Sequence, residues 1–193
     1  MSAPRRLRVG LTRDLLTPSG EPSFGRGPIA LLDAEPSIDW EFIPETATAI
    51  TPDIAARYDL LYVNSLTVTR ESVSRADRRV RLIARHGVGY DSVDVPAMTE
   101  AGIVVTNTPV AIRRPVAVAV LTMLFAVAGR LPVKDRLTRT GRWHERTAHM
   151  GLGLTTRTLG VIGVGGIGTE LLPLARPFGW RMLAADPYLS DAH

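Results

Sequence analysis

The sequence feature that most constrains the fold is a glycine-rich turn between an apolar, β-branched run and a helical pattern, LGVIGVGGIGTELL at 159–172. Three of its glycines have the spacing G-x-G-x-x-G. In such a turn the first glycine permits a tight bend, the second lets the backbone approach a pyrophosphate, and the third lets the helix pack against the strand. Free N–H groups at the helix start then bind phosphate oxygens. We therefore predict a phosphate-binding turn made of Gly163, Gly165, Gly166, Ile167 and Gly168.

An acidic residue ends the strand predicted after this helix, in WRMLAAD at 180–186. The Asp186 carboxylate can accept hydrogen bonds from both hydroxyls of an adenine ribose and would repel a 2′-phosphate, so NAD is favoured over NADP. The alternative is a glycine-rich turn with an incidental acid, but strand, turn, helix, strand and acid occur in the order that a dinucleotide site requires. Within the helix, we expect Pro173 to introduce a kink and Pro177 to end it.

The first half of the chain alternates short apolar strands with short helices. The predicted strands are 6–12, 38–44, 59–64, 80–87 and 103–107, and the predicted helices are 28–34, 51–58 and 94–102. This alternation favours an α/β fold with a parallel sheet and helices on both faces.

The pattern changes after the fifth predicted strand. Residues 116–130 are almost all apolar and too numerous for one strand, which predicts a long buried helix. A polar helix follows and ends near Gly141. Pro109 and Pro115 bracket the connector before the apolar helix, so we predict one domain at 1–110 and a second at 111–193.

Composition excludes several kinds of function. The chain has no cysteine, so disulfides and thiolate metal sites are excluded and a reducing cytoplasm is the expected compartment. The net charge is +4, and all but one of the basic side chains are arginines. No aromatic side chains alternate with the arginines of 75–81, so we expect this segment to form a solvated face and expect no nucleic-acid partner.

Two further kinds of site are not predicted. The apolar run 116–128 is too short to span a membrane. His144 and His149 are five residues apart, whereas zinc on one helical face requires four, so no metal site is predicted.

Beyond the glycine-rich turn, the sequence resembles the D-isomer-specific 2-hydroxyacid dehydrogenases, which include glycerate, phosphoglycerate and formate dehydrogenases. The resemblance rests on segments that occur in the family's order and at about its spacing. They are ARHGVGYDSVDVPAMTEAGIVVTNTP (84–109), RRPVAVAVLTMLFAVAGRLP (113–132), TGRW (140–143), TLGVIGVGGIGTELLPLARPFG (158–179) and DPY (186–188). The resemblance implies a flavodoxin-like parallel-sheet substrate domain at 1–110, followed by the first part of a Rossmann NAD-binding domain at 111–193.

The resemblance also implies a substrate-binding turn at Gly87, Val88 and Gly89. The backbone N–H groups of Val88 and Gly89 would bind the substrate carboxylate, which suits a glycine-flanked turn with accessible amides. Asn64–Thr67 would lie near the same cleft. His86 precedes the turn, and we interpret it as a structural histidine rather than a proton donor.

Two departures from the family bear on catalysis. Val118 stands where the family usually has a glutamate. The family's catalytic Arg, Glu and His follow the second strand of the NAD-binding domain, where this sequence ends, so no catalytic residue is assigned.

The sequence therefore predicts an NAD-dependent oxidoreductase that transfers a hydride between NAD(H) and a 2-hydroxy or 2-oxo acid and is inactive alone. The alternative is a non-catalytic module, derived from that family, that binds NAD or a partner protein. Because later strands of the second sheet would be missing, we expect an exposed edge and a partner, either a second copy or a complementing C-terminal fragment.

Overall fold

A computed structural model of the chain describes residues 5–188. The chain divides into two compact units, residues 1–109 and 110–193. Each unit has its own sheet, and each is described separately below.

The first unit contains a five-stranded parallel sheet in the order β2-β1-β3-β4-β5. Its strands are β1 (Leu7–Leu11), β2 (Ile38–Phe42), β3 (Leu60–Val63), β4 (Leu82–Arg85) and β5 (Val104–Thr106). Its helices are α1 (Gly27–Asp33), α2 (Pro52–Arg57) and α3 (Val95–Glu100). The predicted α/β fold is confirmed, and the strand order is the flavodoxin-like one, in which ligands bind beyond the carboxyl ends of the strands.

Local sequence signals set the helix starts. The Thr51 hydroxyl accepts a hydrogen bond from the Ile54 amide at 3.3 Å and caps α2. The Asp94 carboxylate accepts one from the Ala97 amide at 2.9 Å and caps α3. Such caps satisfy amides that have no partner within the first turn of a helix.

Successive side chains of β3 enter two different clusters. Leu61 and Val63 are fully buried and pack with residues of α2 and α3. Leu60 and Tyr62 pack on the opposite face with Val9, Leu11 and Ile29, and Ile29 belongs to α1. Since neighbouring side chains of a strand point to opposite faces, both faces of the sheet are covered by helices.

The second unit contains a two-stranded parallel sheet of β6 (Thr158–Ile162) and β7 (Arg181–Ala185). Its helices are α4 (Arg113–Ala128), α5 (Leu131–Arg139) and α6 (Gly166–Ala175). None of the residues of β6 and β7 is buried, and Ile162 is 95% exposed. This pair of strands has an exposed apolar surface.

Two expectations about α4 are wrong. The helix begins at Arg113, so Pro115 lies in its first turn, where proline is tolerated, instead of closing a connector. The helix is also not buried: only Ala117 and Ala128 are buried in it, and Val127 is 75% exposed. A helix that is apolar on all sides is buried only if neighbours cover every side, and within residues 5–188 its main helix contacts are those with α6 and α5.

The break between α4 and α5 is sharp. Arg130 lies between the two helices with a left-handed backbone (φ +52°), and the helix axes differ by 61°. Within residues 5–188, no single helix is long and apolar enough to cross a membrane, although this bent pair has the length and composition to do so.

Helix α6 accommodates one proline and stops before the next. Pro173 lies inside the helix, which continues to Ala175, and a short 3₁₀ turn at Arg176–Phe178 contains Pro177. Because proline has no N–H, the carbonyl of Thr169 receives no helical hydrogen bond from position 173. The α-helix ends at Ala175, two residues before Pro177, as the sequence predicts.

Candidate functional site

The glycine-rich turn joins β6 to α6. Gly163 has φ +85°, a left-handed conformation that favours glycine, and its amide donates to the Ala185 carbonyl at 2.8 Å. A Cβ on Gly168 would stand 2.7 Å from the Gly163 carbonyl oxygen, which is too close for any side chain. The bend and the close approach of helix to turn thus depend on glycine at these two positions.

The start of α6 carries unused hydrogen-bond donors. Within residues 5–188, the amides of Gly165, Gly166, Ile167 and Gly168 donate no hydrogen bond, and no side chain caps the helix. A Cβ on Gly165 would meet no atom within 4 Å, so the space beside this glycine is open. Unpaired amides and the positive end of the helix dipole together favour a phosphate at this position.

Asp186 is connected to the same turn. One carboxylate oxygen accepts from the Val164 amide at 2.7 Å, and the other accepts from the Tyr188 amide at 2.9 Å. These two backbone hydrogen bonds hold the pKa of Asp186 below its ordinary value. Each carboxylate oxygen keeps a second lone pair, so the ionised group can still accept hydrogen bonds from ribose hydroxyls.

A residue that the sequence analysis missed also lies at this turn. A Cβ on Gly166 would stand 2.6 Å from Nε of Arg113, so the Arg113 side chain lies directly beside the first residue of α6. A cation there adds to the attraction for phosphate. The available signal was the pair Arg113 and Arg114 just before the apolar run 116–130, but about 50 residues separate this pair from the turn in the sequence, so the contact could not be predicted.

The open turn, the free amides, the ionised acid and the nearby guanidinium are the features that the diphosphate and ribose of a dinucleotide require. The residues present at this turn therefore fit an NAD molecule.

The first unit carries the second predicted turn, directly after β4. Gly87 has φ +120°, and its carbonyl accepts from the Thr108 amide at 2.8 Å. The Val88 carbonyl accepts from Nδ2 of Asn107 at 2.8 Å. The amides of Val88 and Gly89 donate no hydrogen bond to any residue in 5–188. Both carbonyls of the turn are thus held by the residues after β5, and its amides are left for an anion.

The neighbouring loop after β3 uses its amides internally. The Asn64 amide donates to the Thr12 hydroxyl at 3.2 Å, and the Ser65 amide donates to the Asp14 carboxylate at 2.7 Å. The amides of Asn64 and Ser65 are therefore used within the protein and are not available to a ligand.

His86 is held by aromatic neighbours. Its Nδ1 lies 2.5 Å from the Tyr62 hydroxyl, and its ring is 5.7 Å from the ring of Phe24. Burial, with a smaller contribution from Arg85, holds the pKa of His86 below its ordinary value.

The remaining histidines do not form a comparable site. His144 and His149 lie in a 3₁₀ stretch, Trp143–His149, in which no residue is buried. Glu145 lies 3.6 Å from His144 but makes its closer ion pair with Arg142, at 2.6 Å. No group of three or more potential metal ligands occurs within residues 5–188.

Fold and site together define an α/β protein with a glycine-rich turn that fits a dinucleotide, and comparisons with known proteins identify the family. The model of the D-isomer specific 2-hydroxyacid dehydrogenase catalytic domain matches residues 26–148, and that of the family's NAD binding domain matches residues 121–193. The chain belongs to the D-isomer specific 2-hydroxyacid dehydrogenase family. The predicted family is confirmed, and the NAD binding domain supports the predicted cofactor.

Individual relatives agree with this assignment. The chain is 36% identical over 139 residues to D-3-phosphoglycerate dehydrogenase from Synechocystis, covering 72% of this chain and 25% of that protein. It is 32% identical over 186 residues to the enzyme of the same name from Mycobacterium tuberculosis, covering 96% of this chain and 33% of that protein. The crystal structure of a glyoxylate reductase from Paecilomyes thermophila is similar with 25% identity and a TM-score of 0.70, covering 98% of this chain and 58% of that one. The chain thus spans a quarter to a third of the length of these curated relatives.

Proposed function

We propose that this chain provides the NAD-binding and substrate-carboxylate-binding parts of an NAD-dependent D-2-hydroxyacid dehydrogenase. The reaction would interconvert a 2-hydroxy acid and a 2-oxo acid. The observation that carries the proposal is the turn between β6 and α6, whose unpaired amides lie beside an ionised Asp186. In this proposal, residues 1–110 form the substrate domain and residues 111–193 belong to the NAD-binding domain; residues 189–193 lie outside the described residues.

Each residue of the turn has a separate task in binding NAD. The amides of Gly165, Gly166 and Ile167 bind the diphosphate, while Gly163 and Gly168 permit the bend and the close packing of the helix. Asp186 binds the adenine ribose through its remaining lone pairs and disfavours a 2′-phosphate through its charge. Bound NAD supplies the hydride acceptor or donor at C4 of its nicotinamide.

At the substrate end, the amides of Val88 and Gly89 bind the carboxylate of the 2-hydroxy or 2-oxo acid. Their support is geometric: both amides lack a hydrogen-bond partner among the described residues, 5–188, and the turn is fixed by hydrogen bonds to the carbonyls of Gly87 and Val88. A carboxylate held by two backbone amides keeps its orientation while the C2 carbon remains free to react.

The same proposal assigns no catalytic residue and expects no turnover by this chain alone. The Arg, Glu and His implied by the family resemblance are not among the assigned residues, and no carboxylate in the described part of the chain makes a hydrogen bond to His86. We further propose that a second copy or a complementing C-terminal fragment covers the exposed apolar side chains of the second unit, among them Met123, Ile162 and Leu183. Since the chain lacks cysteine, a reducing cytoplasm is the compartment we propose.

Calorimetric titration of the purified chain with NADH and with NADPH tests the cofactor assignment. We expect saturable NADH binding and weaker NADPH binding, because Asp186 repels the 2′-phosphate. Asp186→Ala should reduce this preference, whereas substitution of the exposed Asp135 by alanine should leave it unchanged. No NADH binding, or equal affinities for NADH and NADPH in the unchanged chain, would contradict the proposal.

Oxidation of NADH in the presence of glyoxylate or hydroxypyruvate tests the second part. Turnover by the chain alone would refute the expected inactivity. If NADH binds and turnover stays absent after a fragment carrying the Arg, Glu and His is added, the alternative of a non-catalytic binding module is favoured. A monodisperse monomer with one cooperative thermal transition would count against the need for a partner.

A further inference from the structure

A contact between Tyr62 and His86 lies immediately before the turn at 87–89. Neither the family resemblance nor the proposed function gives this contact a role. The Tyr62 hydroxyl and Nδ1 of His86 are 2.5 Å apart, and the two rings meet edge-to-face with centroids separated by 5.4 Å. Tyr62 belongs to β3, and His86 directly follows β4. The contact therefore joins two neighbouring strands at their carboxyl ends, immediately before the turn.

Other contacts fix the same histidine. Its amide donates to the Val63 carbonyl at 2.8 Å, and its carbonyl accepts from the Arg85 guanidinium. The Phe24 ring packs against the imidazole from the loop before α1. The backbone, the side chain and the ring face of His86 are thus all held by protein atoms, and the chain bends at the next residue, Gly87.

We propose that Tyr62 and His86 are positioning residues, which hold the 87–89 turn so that the amides of Val88 and Gly89 meet a substrate carboxylate. This inference rests on the proposed function, because it assumes that those amides bind the carboxylate. Neither side chain touches the substrate in this proposal; both act through the backbone of His86.

The tautomer of His86 follows from the same contact. The Tyr62 hydroxyl has no other hydrogen-bond partner within residues 5–188, and burial raises the pKa of Tyr62, so this hydroxyl stays protonated and donates to Nδ1. The ring proton of the neutral imidazole is then on Nε2. The charged groups that act on the imidazole are the Arg85 guanidinium and the Asp14 carboxylate; Arg85 disfavours a second positive charge and Asp14 partly offsets it.

Tyr62→Phe removes the donor while keeping the ring. We expect the affinity of the chain for oxalate, a two-carbon probe of the carboxylate site, to fall by a measurable factor of up to about fivefold, the limit set by the free energy of one ordinary hydrogen bond. The ¹⁵N and ¹H shifts of the Val88 and Gly89 amides should change in the free protein, and the His86 ring should lose its preference for the Nε2–H tautomer. All three are read by NMR on the full 193-residue chain.

Tyr58→Phe is the matched control. It also removes a hydrogen-bonded hydroxyl, the one that donates to Glu41 at 2.9 Å, from a buried tyrosine. Because the recorded polar and ring contacts of the Tyr58 side chain, among residues 5–188, are with Glu41, Arg8 and Arg57 and not with the turn, oxalate affinity and the two amide shifts should stay at their original values even if stability falls.

Two substitutions of His86 test the pair independently of Tyr62. The amide oxygen of His86→Asn can accept the Tyr62 hydroxyl near the former position of Nδ1, whereas His86→Leu cannot. We expect oxalate affinity in the order unchanged chain, His86→Asn, His86→Leu. This pair also covers the case in which Tyr62→Phe does not fold.

The outcomes separate the two proposals. If oxalate binds the unchanged chain and Tyr62→Phe binds it equally well, the positioning role is overturned and the carboxylate site stands. Equal affinities of His86→Asn and His86→Leu would overturn it as well. If oxalate does not shift the Val88 and Gly89 amides of the unchanged chain, the proposed carboxylate site fails, and the role of the pair fails with it.

Discussion

Alanine substitutions at two glycines of the glycine-rich turn between β6 and α6 should separate effects on folding from effects on the proposed NAD binding. A Cβ at position 168 would lie 2.7 Å from the Gly163 carbonyl oxygen, and that oxygen belongs to backbone rather than to a flexible side chain. Overpacking of this kind costs about 1–3 kcal/mol, with a rigid backbone partner at the upper end. Alanine gains about 1 kcal/mol over glycine inside a helix. We therefore expect Gly168→Ala to lower the free energy of unfolding of the second unit by about 2 kcal/mol.

Gly165→Ala should leave the free energy of unfolding nearly unchanged and weaken NADH binding. A Cβ there meets no atom within 4 Å, and Gly165 has a negative φ of −65°, which alanine adopts without strain. Replacing an N-cap glycine by alanine costs roughly 0.5–1 kcal/mol, and the reduced freedom of the unfolded chain offsets about the same amount. The methyl group occupies the space proposed for the diphosphate, so NADH affinity should fall by about tenfold or more, or about 1.4 kcal/mol.

Thermal melting and calorimetric NADH titration measure the two effects. For a unit of this size, about 2 kcal/mol corresponds to a melting point lower by roughly 10 °C. Gly153→Ala is the control, since this glycine also has open space around it and lies outside the turn; neither quantity should change. If Gly165→Ala binds NADH with unchanged affinity, or if Gly168→Ala melts with the unchanged chain, the geometric reasoning about the turn is refuted.

Three further perturbations test the fold and its electrostatics. Leu61→Ala should cost about 2–5 kcal/mol in denaturant unfolding because Leu61 is fully buried, whereas Leu31→Ala, at a side chain that is 75% exposed, should stay within about 0.5 kcal/mol; equal costs would contradict the assigned core. Burial and the Glu41 carboxylate raise the pKa of Tyr58 to about 12, so an absorbance titration should find one phenol ionising there. Since the unfolded phenol ionises first, stability should decrease as pH rises from about 10 towards 12, and a flat profile would count against it. The pKa of Asp186 is lowered, so its contribution to holding the turn is complete above the ordinary aspartate pKa and is lost as pH falls through the lowered value; a carboxyl ¹³C shift that titrates at or above the ordinary pKa would contradict this.

Much of the fold follows from contiguous stretches of sequence. The five strands and three helices of the first unit were predicted in order because apolar runs, helix-capping residues and glycines act within a few residues of one another. The β6 strand, the turn and α6 were predicted from the same kind of local pattern. The family resemblance then led to the proposed substrate-binding turn at Val88 and Gly89, which the local pattern alone would leave as an ordinary strand end.

The expectation of a buried α4 was wrong because burial is not a local property. The apolar run predicts a helix correctly, but the exposed fraction of Val127 depends on which elements pack against it. The same reason explains why the expectation for Pro115 was wrong. Pro115 lies in the first turn of α4 because the helix begins at Arg113, and the tertiary packing decides where it begins.

The sequence by itself determined the order of elements, the glycine-rich turn and the presence of an acid at the end of the following strand, because each is specified by neighbours along the chain. Only the tertiary structure decided that Asp186 accepts the Val164 amide, that Arg113 lies beside Gly166, and that Tyr62 meets His86. These contacts join residues that are between 22 and 53 positions apart, and no periodicity relates such residues until the strands and helices have packed.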